Sequence, residues 1–145
     1  MRVDFYRLSR DPAPAAVAML ARKVTEAGKR LLVVSGPEEL RLQISELLWE
    51  APGDAFLANG VSGGAHDARQ PILISDHVDA VNGASFLILA DGRWRDPGDA
   101  FERVMLLFDD ATIEAARAQW KALGDIDGAE RHFWKQDGGR WVEGP

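Results

Sequence analysis

The sequence of 145 residues has no cysteine. That excludes a disulfide framework, a thiolate-ligated zinc and a cysteine nucleophile. Long apolar runs are also missing. Unbroken stretches such as Phe86–Ala90 and Val104–Phe108 fall far short of the ~18 residues needed to span a bilayer. The opening residues include Arg2 and Asp4 and lack the apolar core of a secretion signal. A soluble, cytoplasmic protein with no membrane association is expected. A basic excess is absent too: 17 Lys and Arg face 23 Asp and Glu, for a net charge of −6. The first 75 residues hold nine of each sign, so the whole surplus lies in the second half. Broad nucleic-acid binding works by neutralising phosphates with cations, so any contact with DNA is expected to be indirect. A small local cluster of cations could still receive an acidic peptide.

What is present alternates between strand and helix patterns. The opening M-R-V-D-F-Y-R-L reads as a strand. Asp11 before Pro12 reads as a carboxylate cap for a helix, in which Val17, Leu20, Ala21 and Val24 recur at helical spacing and which Gly28 ends. Leu31–Val34 is a continuous apolar run, as in a strand covered on both faces. A turn at Ser35–Pro37 leads into a second helix, to about Glu50. Residues 51–71, rich in glycine and bounded by Pro52 and Pro71, read as a long loop. Further strands are expected at 72–74, 86–89 and 104–108, with a short helix or turn opening at 96–98. A helix capped by Asp110 should run to Leu123, followed by a hairpin or edge strand in the tail. The alternation predicts one domain over 1–145, of α/β class, with a largely parallel sheet flanked by helices in a Rossmann-like arrangement.

Two helices show faces that matter. On a wheel of 100° per residue, Leu40, Ile44, Leu47 and Leu48 form the core face of the second helix, and Trp49 and Leu42 point the opposite way. With Pro52, Phe56 and Leu57, Trp49 forms a second apolar surface. Either the loop folds back over it, or it receives a partner, since buried aromatic anchors dominate interface energy. On the last helix Arg117, Trp120 and Lys121 share an arc of about 100°. Either Trp120 is core with the cations snorkelling beside it, or two cations and an indole receive a carboxylate together with an apolar side chain.

Catalytic motifs are scarce. The Val34–Pro37 turn sits where a dinucleotide fold puts its phosphate loop, but lacks the glycine fingerprint, and Glu38 and Glu39 would repel phosphate. Gly60–Gly64 is not followed by the Lys-Ser/Thr of an ATP loop. His66, Asp67, Asp76, His77 and Asp79 match no ligand spacing. His132 reads as structural, and no nucleophile elbow is present. No cofactor is expected. The alternative function class is a small nucleotide- or metal-dependent enzyme on the same sheet.

An ordered set of segments resembles the chi subunit of bacterial DNA polymerase III: the V-D-F-Y-R-L strand, G-K-R-L-L-V-V after the first helix, L-L-W with Pro52 and Phe56, P-I-L-I-S at Pro71–Ser75, A-A-R-A-Q-W-K-A at Ala115–Ala122 (close to the family's A-R-x-x-[WY]-[KR]), and the ending F-W-K-Q-D-G-G-R-W. The resemblance implies a non-catalytic adaptor of the replisome, with an α/β fold like that of nucleotide-binding domains. It implies that the adaptor joins the clamp loader to the acidic C-terminal tail of single-stranded DNA-binding protein. Carried over by position, Arg117, Trp120 and Lys121 would bind that tail, and Trp49, Pro52 and Phe56 would meet the psi subunit or the clamp loader. Ile113 stands where some relatives carry a lysine.

Overall fold

The computed structural model of the chain describes residues 1–50 and 57–144. Eight strands form one sheet: β1 (Arg2–Arg7), β2 (Leu31–Val34), β3 (Gly60–Val61), β4 (Ile72–Ser75), β5 (Phe86–Leu89), β6 (Arg103–Phe108), β7 (Glu130–Asp137) and β8 (Arg140–Glu143). Their order across the sheet is β3-β4-β2-β5-β6-β1-β7-β8. All neighbours are parallel except the β7–β8 hairpin. Among the described residues three α-helices flank the sheet, α1 (Ala13–Glu26), α2 (Glu38–Trp49) and α3 (Ile113–Leu123). The architecture is α/β, mostly parallel and Rossmann-like, as the alternation of patterns predicts.

The sheet has two apolar faces, and each is covered. Leu31, Val33, Ile72, Ile74, Ile88, Met105 and Leu107 pack under α1 and α2. The alternate positions, among them Leu32, Val34, Leu87, Leu89, Val104 and Leu106, pack under α3 together with Phe101 and Trp94 from the β5–β6 connection. Because successive side chains of a strand point to opposite faces, strands buried on both sides must be continuously apolar. That is why β2 reads L-L-V-V and β5 reads F-L-I-L.

The helix termini correct two expectations. Pro12 is the N-cap of α1 and makes no side-chain cap. Asp11 instead accepts a hydrogen bond from Gln136 Nε2 of β7 at 2.9 Å. Proline before and within the first turn removes donors that would otherwise need a cap, so α1 starts without one. Asp110 does not cap α3 either. Thr112 takes that position, and the Asp109 carboxylate accepts the Ala111 and Thr112 amides. The C-terminus of α1 follows expectation. Gly28 has φ +74°, Gly28 N–H donates to the Thr25 carbonyl, and Lys29 N–H reaches back to Val24, the left-handed glycine stop. Among its described residues, the 51–71 stretch carries β3 and a 3-10 turn at Asp67–Arg69. Residues Pro52 and Phe56 lie outside the described residues.

The hairpin is tied back into the sheet. Asp4 on β1 is fully buried and accepts from Arg2, from Arg103 Nε of β6 at 2.6 Å and from Trp134 Nε1 of β7 at 2.8 Å. The Gln136 side-chain carbonyl accepts the amides of Ser9, Arg10 and Asp11, securing the β1–α1 turn.

Candidate functional site

A cavity of about 300 Å³ opens between α3 and the sheet, lined by Phe5, Arg7, Phe108, Ile113, Ala116, Arg117, Trp120 and Phe133. Its origin lies in two periodicities. Phe5 and Arg7 are two apart on β1 and share the α3 face. Register then brings Phe108 of β6 opposite Arg7, and Phe133 of β7 opposite Phe5. From above, Ile113, Ala116, Arg117 and Trp120 form the i, i+3, i+4, i+7 stripe that one helix face presents. Ala116 is the small residue in this stripe, and leaves room at the centre.

The floor is aromatic. The Phe5 ring meets the Trp120 indole edge-on at 5.1 Å between centroids, and Phe108 stands 6.5 Å from Phe5 and 6.3 Å from Phe133. The indole is partly buried and has a second neighbour. The Arg131 guanidinium lies 4.6 Å over its ring and donates to the Trp120 carbonyl oxygen at 2.8 Å. Trp120 is thus both packed against the core and exposed to the cavity.

The rim is cationic. Arg117 pairs with Glu114 at 3.1 Å, where both side chains are largely exposed. Arg7 pairs with Asp110 at 3.0 Å. Exposed pairs of this type contribute only about 0–1 kcal/mol, so neither arginine is locked. Lys121 is exposed and does not line the cavity. The structure therefore brings together Arg117 and Trp120, leaves Lys121 one turn further on at the surface, and adds Arg7, Arg131, Phe5, Phe108 and Phe133. Those additions carry no signal of their own in the sequence, because they depend on the register between strands far apart in the chain.

On α2, Ile44 and Leu48 are buried while Leu42 and Trp49 are about half exposed, Trp49 at 50%. This agrees with the wheel. The expected neighbours Pro52 and Phe56 cannot be placed beside Trp49, since they fall outside the described residues.

A larger crevice, about 610 Å³, lies beyond the carboxyl ends of the central strands and is lined in part by Arg10, Asp11, Asp91 and Asp109. Folds of this kind bind nucleotides at such a place. Here the Gly36 amide, at the turn into α2, donates to Asp91 Oδ2 at 2.9 Å. Asp91 is also gripped by Arg95 through two bonds of 2.8 Å. Burial pushes the Asp91 carboxyl up, but the hydrogen bonds from Arg95 and Gly36 outweigh it and hold it below the usual carboxylate range. A permanent anion therefore occupies the amide that a phosphate would need, and Glu38 and Glu39 in the first turn of α2 add like charge. Among the described residues, no three His, Asp or Glu side chains are grouped to hold a metal ion, and no helix is long and apolar enough to cross a membrane.

The family model of the DNA polymerase III chi subunit, HolC, matches residues 1–129. The chain belongs to the DNA polymerase III chi subunit family. Its role is that of an accessory subunit associated with the DNA polymerase III complex. The matched region contains α2 with Trp49 and α3 with Arg117, Trp120 and Lys121. It ends before β7, so the similarity of the F-W-K-Q-D-G-G-R-W ending to chi sequences stands outside the match. No curated protein matches the chain.

Proposed function

We propose that this chi-family chain is a non-catalytic, cytoplasmic adaptor that binds the acidic C-terminal tail of single-stranded DNA-binding protein in the cavity beside Trp120. The observation that carries this reading is the pairing of an aromatic-floored cavity with Arg117 on its rim, at the positions of the family's A-R-x-x-W-K segment. The apolar floor takes the aromatic side chain at the end of the tail. Arg117 and, from the adjoining surface, Lys121 meet the tail's carboxylates. A charge-assisted contact on a desolvated floor gains from both terms. The second surface, Trp49 with Leu42 on the outer side of α2, is proposed to meet psi or another part of the clamp loader, together with Pro52 and Phe56. The Asp91-filled turn at α2 does not favour the alternative of a nucleotide-dependent enzyme.

The experiment is a calorimetric titration with a peptide copying the acidic tail, with and without its final phenylalanine. Expected are micromolar binding of the complete peptide, on the order of −8 kcal/mol, and a loss of severalfold or more in Arg117→Ala. Equal affinity with and without the phenylalanine, together with an unaffected Arg117→Ala, would remove the cavity from the account.

A further inference from the structure

The cavity has a second cationic wall. Arg117 comes from the helix, whereas Arg7 comes from the end of β1 on the sheet side, and both line the same space. The only charged partner of Arg7 among the described residues is Asp110, through one bond from Nη2 to Oδ1 at 3.0 Å. The side chain of Asp110 is 87% exposed and that of Arg7 41%. Asp110 lies in the turn between β6 and α3, and its carboxylate has no other hydrogen-bonded donor among the described residues. A guanidinium offers five N–H donors in a fixed fork and binds carboxylates best two at a time. This contact uses one.

We propose that Arg7 is a second carboxylate-binding residue of the tail site, and that Asp110 is its built-in competitor, holding Arg7 until a ligand carboxylate displaces it. The proposal rests on the tail-binding reading above and adds a residue and a regulation to it. Exchange is easy in physical terms. Released Asp110 returns to water with little lost, because an exposed ion pair is weak and screened. The incoming carboxylate arrives attached to a side chain that the aromatic floor holds in place, so its contact with Arg7 becomes intramolecular in effect and gains over a freely mobile one. Arg7 and Arg117 then face the bound peptide from opposite walls. Asp110 also biases specificity: a ligand without an anion beside its apolar group gains nothing from Arg7, which stays paired with Asp110.

The test titrates the same acidic, phenylalanine-ended peptide against the full chain and against Arg7→Gln, Asp110→Asn, the double variant and Arg117→Ala, with thermal unfolding to verify that each is folded. Expected are a loss of about tenfold in Arg7→Gln, a gain of about two- to fivefold in Asp110→Asn, and no gain from Asp110→Asn once Arg7 is replaced. A gain that persists in the double variant means only that a like charge was removed, and overturns the competition. Should Arg7→Gln fail to fold, an Asp110→Asn affinity equal to that of the unaltered chain overturns the proposal by itself. Unchanged binding in Arg7→Gln while Arg117→Ala weakens it overturns the role of Arg7 and leaves the tail site standing. If no variant, Arg117→Ala included, alters binding, both fall.

Discussion

Single residues show how surroundings set which protonation state a side chain prefers. Tyr6, the only tyrosine in the chain, is buried with its hydroxyl accepting from Arg103 Nη2 at 2.8 Å. Burial pushes its phenol up to about 12, with Arg103 opposing and Asp4 adding to the shift. Since the folded pKa lies above the ordinary value near 10, Tyr6 stabilises the fold below about pH 10, and that contribution declines as pH rises toward 12. With one tyrosine present, tyrosinate absorbance reports this group alone. Ionisation near the ordinary value in the native state would contradict the burial. His132 has the opposite use. Its Nδ1 faces Glu143 across the hairpin, and Nε2 lies 3.3 Å from Glu130. The Glu143 hydrogen bond raises its pKa, burial opposes this, and Glu130 adds to the rise. A raised histidine stabilises fully below its unfolded pKa near 6.5 and loses that contribution as pH climbs through the folded value. Thermal unfolding followed from acidic to mildly alkaline pH should therefore show a stability decline, starting as pH rises past the unfolded value of about 6.5, that His132→Gln lacks. An identical pH profile in the two proteins would remove the ion pair as a contributor.

At the scale of elements, the central strands and all three helices were legible because their signals are local. L-L-V-V, I-L-I-S and V-M-L-L-F carry the continuous apolar pattern of doubly covered strands, and Gly28 marks the stop of α1. The cap expectation fails at Asp11 and Asp110, because a carboxylate next to a helix start serves a distant partner instead: Gln136 for one, Arg7 for the other. The site was half legible for the same reason. Helical periodicity puts Arg117 and Trp120 on one face, but only the parallel pairing of β1 with β6 and β7 brings Arg7, Phe108 and Phe133 underneath. Lys121 shares the arc of the wheel without reaching the cavity, because an arc of about 100° is wider than the space that the sheet leaves open. Asp4 supports that pairing, since it joins β1 to β6 and β7 through Arg103 and Trp134. Asp4→Asn keeps the shape and removes the charge, leaving two arginines without their counter-ion. The expected cost is about 2–4 kcal/mol, read from urea unfolding. A change below about 0.5 kcal/mol, the range of ordinary surface substitutions, would show that the network contributes little.

For the whole molecule, the sign of the charge sets a conflict. A chain of net charge −6 repels an acidic tail at long range, while in the proposed site Arg7, Arg117 and Lys121 would attract it at contact. Salt screens both, but charges separated by more than the Debye length, about 10 Å at 0.1 M, are screened most completely. If the local contact dominates, affinity falls as salt rises; an affinity that grows with salt would mean that global repulsion governs binding and that the cationic rim is incidental. The fold separates its two proposed contact surfaces onto opposite layers, α2 on one face of the sheet and α3 on the other, an arrangement that lets one partner be held without obstructing the second. The most direct test of the central claim is to map the peptide by nuclear magnetic resonance on the folded chain. The account predicts that shifts concentrate at the Trp120 indole N–H and along residues 113–121 and the facing end of β1, with the Trp49 indole unmoved. Saturable binding that shifts Trp49 or the crevice around Asp91, and leaves Trp120 unmoved, would contradict it.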